Sequence, residues 1–365
     1  MDLTSKTVLL LTVLVAVALF AATVLLWPRL ASRTWRAVTG RIGLLLATQL
    51  TLFAAVGLVV NNAFGFYASW ADLFGQETET GVVVDHSTKR QGIERTGLPQ
   101  DNRRADVAGR LDKVLIRGEN TGITSPAYVY LPPEYFQPQN TQKRFPTAVV
   151  LTGYPGTAEA LYTKLHYPQT QRRLVSQGKM QPTILVMMRP TVAPPRDTEC
   201  MDIPGGPQTE TFFTKELRAD IAAHYRTGTQ ARNWGIIGDS TGGYCALKMT
   251  MRHPEAFSAG AALSGYYKAP LDPTTGDLFA GDPRLQREND LLWRQRHLPP
   301  PPVNLLVTTS KQGETNYADT MRFIQQAKAP TRVSSIVLES GGHNFNTWRR
   351  EIPPALTWLS TRLSA

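Results

Sequence analysis

Residues 234–252 read WGIIGDSTGGYCALKMTMR, and no other stretch constrains the fold of the chain so tightly. The first five are uncharged and mostly bulky, which suits a short strand buried on both faces. The segment from Gly242 on reads as a helix. Between the two lies Gly238-Asp239-Ser240-Thr241-Gly242, the Gly-x-Ser-x-Gly pattern that lifts a serine hydroxyl out of a sharp strand-to-helix turn. Glycine is needed at 238 and 242 because side chains there would collide where strand and helix converge. A glycine-rich loop produces the same five letters by chance; the strand before and the helix after favour the elbow. Ser240 is therefore the candidate nucleophile.

From about residue 111 the chain supplies the layers such an elbow needs. Short β-branched or apolar runs recur as DKVLIR, AYVYL, TAVVLT, TILVMM, WGIIG, GAAL, VNLLVTT and VSSIVLE. Amphipathic stretches lie among the later ones, at about 156–178, 210–225, 242–252 and 316–328, with a last helix around 347–363. Runs unbroken by polar residues mark strands covered on both faces, the parallel-sheet case. Strands alternating with helices predict a three-layer α/β domain over 111–365, and the elbow makes it an α/β-hydrolase fold.

A serine hydroxyl is a weak nucleophile until a base takes its proton. The histidines are His86, His166, His224, His253, His297 and His343. In this fold the chain order is nucleophile, acid, histidine, so the base belongs after the last strand. His343 stands there, in VLESGGHNFNTW, with two glycines ahead of it to turn the imidazole back over the sheet edge. His253 precedes a proline and closes the elbow helix, His224 falls inside a helix, His297 in a Pro-rich loop and His86 in a polar segment. The acid belongs after the preceding strand, where SKQGETNYADTMRF offers Glu314 and Asp319. Glu314 lies in the turn, within reach of the imidazole; Asp319 is one turn into a helix, at a surface position. The oxyanion formed on attack needs donors already in place. The backbone N–H of Thr241 is one. The loop GYPGT supplies the other, and because Pro155 has no N–H the choice falls on Tyr154. This chemistry calls for no cofactor and no metal.

Two segments are candidate walls of the site. RPTVAPPRDTECMDIPGGPQTE carries Asp197, Glu199 and Asp202, whose spacing fits no metal-ligand pattern and reads as solvated or ion-paired carboxylates. Residues 265–302 sit where this fold inserts a cap. Their Tyr266, Tyr267 and Phe279 are candidates to line an acyl site, with core or surface packing an equal alternative.

The N-terminal part points to a membrane. Residues 7–27 and 42–60 are uncharged, each about 20 residues, enough to cross a hydrocarbon core roughly 30 Å thick. A cleaved signal peptide fits less well: the first apolar core is too long, little more than Lys6 precedes it, and a second span follows. The intervening loop carries Arg29, Arg33, Arg36 and Arg41 and no acid, whereas Asp72, Glu77, Glu79 and Asp85 come before Lys89. The positive-inside rule then puts that loop in the cytoplasm and the large domain outside. Residues 1–75 read as the anchor and the polar, aperiodic 76–110 as a tether. Outside the cytoplasm a disulfide is permitted. A bridge between Cys200 and Cys245 would pin the first candidate wall beside Ser240 and contribute about 4 kcal/mol by loop-closure entropy, the alternative being two buried thiols. The net charge of +10 is spread thinly, with Arg runs no longer than two. That leaves attraction to anionic lipid or envelope polymer open and gives no nucleic-acid patch.

VYLPPEYF and KRFPTAVVLTGYPG, followed by GDSTGGYCALKMTMRHPEAFSAGAALSGYY and GGHNFNTWRREIPPALTWL, resemble the esterase D and mycolyltransferase group of α/β-hydrolases over about 115–363. The double span with NNAFGFYASW resembles a membrane-anchored actinobacterial branch of that group. The resemblance implies a triad on Ser240, Glu314 and His343 and an oxyanion hole on the backbones of Tyr154 and Thr241. It departs at Thr152-Gly153, where many members have His-Gly, which touches loop packing and not the triad. The implied activity is a membrane-anchored, extracytoplasmic serine esterase acting on carboxylic esters, with lipid or glycolipid esters brought near by the anchor. The alternatives are an envelope acyltransferase serving a sugar hydroxyl and a non-catalytic binding module on the same fold.

Overall fold

The computed structural model describes residues 6–64, 94–96, 105–194 and 196–365. The chain divides into two units, Met1–Val83 and Val84–Ala365. In the first, α1 (Lys6–Leu26) packs against α2 (Trp35–Phe64), with the Thr23 and Thr48 hydroxyl oxygens 3.1 Å apart. Both helices are long and apolar enough to cross a membrane. The second reaches further than its uncharged core, taking in Arg36 and Arg41 at its start. The acidic residues that follow it in sequence, and His86, lie outside the described residues.

In the second unit a nine-stranded sheet runs in the order β1-β2-β3-β5-β4-β6-β7-β8-β9. Its strands are β1 (Glu94–Thr96), β2 (Arg110–Arg117), β3 (Thr124–Leu131), β4 (Thr147–Leu151), β5 (Ile184–Met188), β6 (Trp234–Asp239), β7 (Ala259–Leu263), β8 (Asn304–Gln312) and β9 (Arg332–Ser340). The pairs β1–β2, β2–β3 and β3–β5 are antiparallel; from β5 through β9 every pair is parallel. Each apolar run read from the sequence forms a strand. Two elements went unseen, β1 and the short helix Ala105–Ala108. Both fall in the segment read as a tether, so the sheet reaches into it: Arg95 pairs with Val114 on β2. Three residues, ERT, are too few to show a period of two.

The alternating side chains of the central strands build both cores. Val149, Leu151 and Ile236 face Phe213, Leu217, Ile221 and Met249, from the helical stretch 209–224 and the helix Thr241–Arg252. Ala148, Val150 and Ile237 face Leu161, Leu174, Ile352 and Leu356 on the opposite side, where the helices Ala158–Thr163, Tyr167–Ser176 and Phe345–Ser360 lie. The stretch expected as one helix at 156–178 is two. His166 takes a left-handed conformation, φ 55°, and Pro168 opens the second helix. Residues 265–302 hold two short helices, Pro283–Glu288 and Leu291–His297, capped by the Asp282 and Asp290 carboxylates. Tyr267 and Phe279 are buried in the core with Leu247 and Phe323, so packing is their role.

Candidate active site

The elbow forms where β6 ends. Ser240 has φ 53° and ψ −120°, a conformation that an L-residue keeps only when its surroundings enforce it. Enforcement comes from close packing of backbone. A Cβ at Gly238 would lie 2.4 Å from the Gly242 carbonyl carbon, and one at Gly242 would lie 2.5 Å from the carbonyl oxygens of Leu151 and Thr152. Backbone cannot step aside as a side chain can. Gly242→Ala is therefore expected to cost at least about 3 kcal/mol, a fall in Tm of roughly 6–12 °C, read by thermal unfolding of the purified protein.

The Ser240 hydroxyl lies 2.8 Å from Nε2 of His343, which accepts its proton when Nδ1 carries the ring hydrogen. Nδ1–H then points to Oε2 of Glu314 at 3.4 Å, a long contact of the kind that tightens when substrate arrives. The Glu314 side chain is 2% exposed and that of His343 47%, so the carboxylate is dry while the imidazole faces solvent. His343 sits one residue ahead of Asn344, whose side chain caps the last helix by accepting from the Asn346 and Thr347 amides. The Trp348 ring packs against the imidazole at 86°, with 5.2 Å between centroids. Asp319 is half-exposed and pairs with Arg322 on its own helix, the surface role expected of it.

The remaining histidines do other work. His253 bridges Glu210 and Glu255, at 2.7 and 2.9 Å. The ring of His224 bonds the Asp220 carbonyl oxygen, and His297 stacks on Trp293.

Across the elbow from His343 lies the loop after β4. A Cβ at Gly153 would come within 2.9 Å of the Ser240 Cβ, so the loop presses directly on Ser240. It is tied down by Asp239, whose Oδ2 accepts the Gly153 N–H at 2.9 Å. Burial drives the Asp239 carboxyl up to about 7, against the Gly153 N–H and the nearby His343, which pull it down. The sequence signal for this residue was a lone acid at the end of a strand otherwise buried throughout. Tyr154 follows, joined to Pro155 by a cis peptide bond. Thr152 is buried, with its hydroxyl 2.9 Å from the Gly153 carbonyl oxygen. Thr241 opens the next helix, and the amides of a first helical turn have no acceptor within the helix.

The acidic loop is not the solvated segment its composition implied. Asp197 and Glu199 are 2% and 1% exposed, and neither is ion-paired directly. The Cys200–Cys245 disulfide draws the loop onto the elbow helix, with the two Cα atoms 5.7 Å apart. Lys248, three residues on from Cys245 and fully buried, donates to the carbonyl oxygens of Glu199 and Cys200 at 2.6 and 2.8 Å. Asp197 accepts the Glu199 amide and Asp202 accepts from Thr211. Glu199 accepts the Tyr266 hydroxyl at 2.7 Å on each oxygen, and that hydroxyl also lies 3.0 Å from Oγ1 of Thr241. Among the described residues no group of His, Cys, Asp or Glu is placed to hold a metal ion.

A mainly parallel sheet covered on both faces, a strained serine after β6 and a histidine after the last strand define an α/β-hydrolase. Residues 119–359 match the family model described as putative esterase, and the chain belongs to that family; it is a serine hydrolase of carboxylic esters. It is 24% identical over 351 residues to an uncharacterized protein of Corynebacterium glutamicum, covering 89% of this chain and 77% of the relative. Among solved structures, a ferulic acid esterase superposes with a TM-score of 0.60 at 21% identity, over 70% of this chain and 99% of its own. An S-formylglutathione hydrolase from Agrobacterium tumefaciens does so with a TM-score of 0.58 at 17% identity, over 75% and 100%. These two likenesses speak for the fold.

Proposed function

We propose that the protein is a membrane-anchored serine esterase working outside the cytoplasmic membrane through Ser240, His343 and Glu314. The observation that carries the reading is the 2.8 Å contact between Ser240 Oγ and His343 Nε2 at a strained elbow. Ser240 Oγ attacks the ester carbonyl carbon as its proton passes to Nε2. The tetrahedral oxyanion is held by the backbone amides of Tyr154 and Thr241. Nε2 then gives the proton to the leaving alcohol, and the acyl group stays on Ser240 as an ester. Water, deprotonated by the same nitrogen, attacks that ester and restores the serine. Glu314 holds the Nδ1–H tautomer and stabilises the imidazolium without taking its proton.

The anchor is residues 1–75 and the catalytic domain 111–365, with the connecting stretch 76–110 contributing β1 and the helix Ala105–Ala108 to the catalytic unit. Support for the anchor is the pair of apolar helices whose side chains, Phe20, Leu25, Leu50 and Phe53 among them, are left uncovered by protein. The arginine-rich turn between them supports a cytoplasmic loop and an external catalytic domain. A site tethered beside a bilayer meets lipid and glycolipid esters at high local concentration, which makes these its substrate class.

A fluorophosphonate probe, which phosphonylates activated serines, is expected to label the full chain in membranes and to lose all labelling on Ser240→Ala. No labelling of the folded wild type would overturn the enzyme mechanism. Hydrolysis of p-nitrophenyl esters of graded chain length then maps the acyl site. Acyl transfer to an added sugar in preference to water would reassign the reaction to an acyltransferase.

A further inference from the structure

We propose that Glu199 is a positioning residue for the oxyanion amide of Thr241, acting through Tyr266, and that its carboxyl serves in the neutral form. The inference rests on the reading of Thr241 as an oxyanion donor. Its structural basis is the buried chain Glu199 carboxyl, Tyr266 hydroxyl, Thr241 hydroxyl, with contacts of 2.7 and 3.0 Å.

A phenol has one proton, so the chain has two polarities. With Glu199 ionised, Tyr266 donates to the carboxylate and Thr241 donates its hydroxyl proton to Tyr266. A full negative charge then stands behind the oxyanion site, and the hydroxyl dipoles point toward it. With Glu199 protonated, the carboxylic acid donates to Tyr266 and Tyr266 donates to Oγ1 of Thr241. The positive ends of the dipoles now face the residue whose amide meets the developing oxyanion. Only this second polarity helps the transition state.

The surroundings select it. Glu199 is 1% exposed, so water does not stabilise its charge. Its own loop presents the Asp197 carboxylate, which accepts the Glu199 amide at 3.0 Å, and the 265–282 loop presents Asp272 and Tyr266. The elbow helix presents Tyr244, stacked on Tyr266, and Lys248. Lys248 is the one opposing charge in that set, and burial lowers its ammonium to about 8, so its support for the carboxylate fades over the same pH range. Its ammonium bonds the Glu199 and Cys200 carbonyl oxygens and lies 3.9 Å from Glu210. Burial first, and Asp197 next, push the Glu199 carboxyl up to about 8, against the Tyr266 hydrogen bond and Lys248. An acid so raised is neutral at pH 7 and ionises as pH rises through about 8. The loop is built to hold it there: Glu199 and Cys200 both take left-handed backbone, φ 49° and 53°, a strain that the disulfide and Lys248 sustain.

The test is the pH profile of kcat and KM for a short-chain p-nitrophenyl ester between pH 6 and 10, with circular dichroism at each pH. The wild type should lose kcat by on the order of tenfold across an alkaline limb, the effect of one charge several ångströms from the oxyanion. KM should hold. In Glu199→Gln, which is neutral at every pH and can donate to Tyr266, the limb should vanish. In Tyr266→Phe, which cuts the chain between Glu199 and Thr241, the limb should shrink, and what remains should move to higher pH because the hydrogen bond favouring the carboxylate is gone. A wild type without a limb, or the same limb in both variants, overturns the proposal. Should Glu199→Gln not fold, the shift in Tyr266→Phe decides. Fluorophosphonate labelling of the wild type keeps the outcomes apart: a labelled Ser240 with an unmoved limb sinks the role of Glu199 alone.

Discussion

His343→Ala is expected to lower kcat on the order of 100,000-fold while leaving KM within a few-fold. The imidazole is the group within hydrogen-bonding distance of the Ser240 hydroxyl that can take a proton and return it, at 2.8 Å. His253, the nearest alternative along the chain, is held between two glutamates on the far end of the elbow helix. Removing the base leaves Ser240 a neutral alcohol, and the oxyanion amides then have little to stabilise. Residues that act as one unit are not additive, so Ser240→Ala with His343→Ala should be no slower than either alone. Glu314→Gln should fall by about 1,000- to 10,000-fold, because the shape survives while the charge that steadies the imidazolium is lost. The His343 side chain is half-exposed, so Tm should barely move. Retention of more than a few per cent of activity in His343→Ala would place the base elsewhere.

The elements that could be read from sequence were those whose cause is local. Apolar runs such as TAVVL and WGIIG, buried at every residue, became β4 and β6 because nothing polar in them could face water. Ser240, Glu314 and His343 could be read because the fold sets their order along the chain, and they lie together at the carboxyl ends of β6, β8 and β9. What escaped depends on where distant segments land. Glu199 looks solvated in sequence; a disulfide 45 residues long carries it inside. Lys248 interrupts ALKMTM, an oddity at an inward-facing position three residues from Cys245, yet only the folded chain shows its target carbonyls. Asp239 was in view inside the motif itself, but its grip on Gly153 spans 86 residues. Tyr266 stands out in the sequence as an aromatic of the 265–302 segment, but the partners of its hydroxyl, Glu199 and Thr241, are visible only in the folded chain.

The paired replacement Cys200→Ala, Cys245→Ala is expected to lower stability by about 4 kcal/mol, the loop-closure entropy of a 45-residue span. For a domain of this size that is a fall in Tm of roughly 8–16 °C. The cost is not confined to the unfolded chain. Without the bridge, Glu199 and Cys200 keep their left-handed conformations through hydrogen bonds alone, two of them from Lys248 and one from the Glu199 amide to Asp197. If the loop relaxes, a buried ammonium loses its acceptors and Glu199 leaves Tyr266. Activity and its pH dependence should then change together with Tm, and not merely the temperature at which activity ends. Both cysteines are fully buried, so a thiol reductant added to the native protein should do nothing at 25 °C. The same reductant added during unfolding should reproduce the Tm of the paired replacement. A paired variant whose Tm stays within about 2 °C of the wild type would mean that hydrogen bonds and packing alone hold the loop, and that the bridge is incidental to the site.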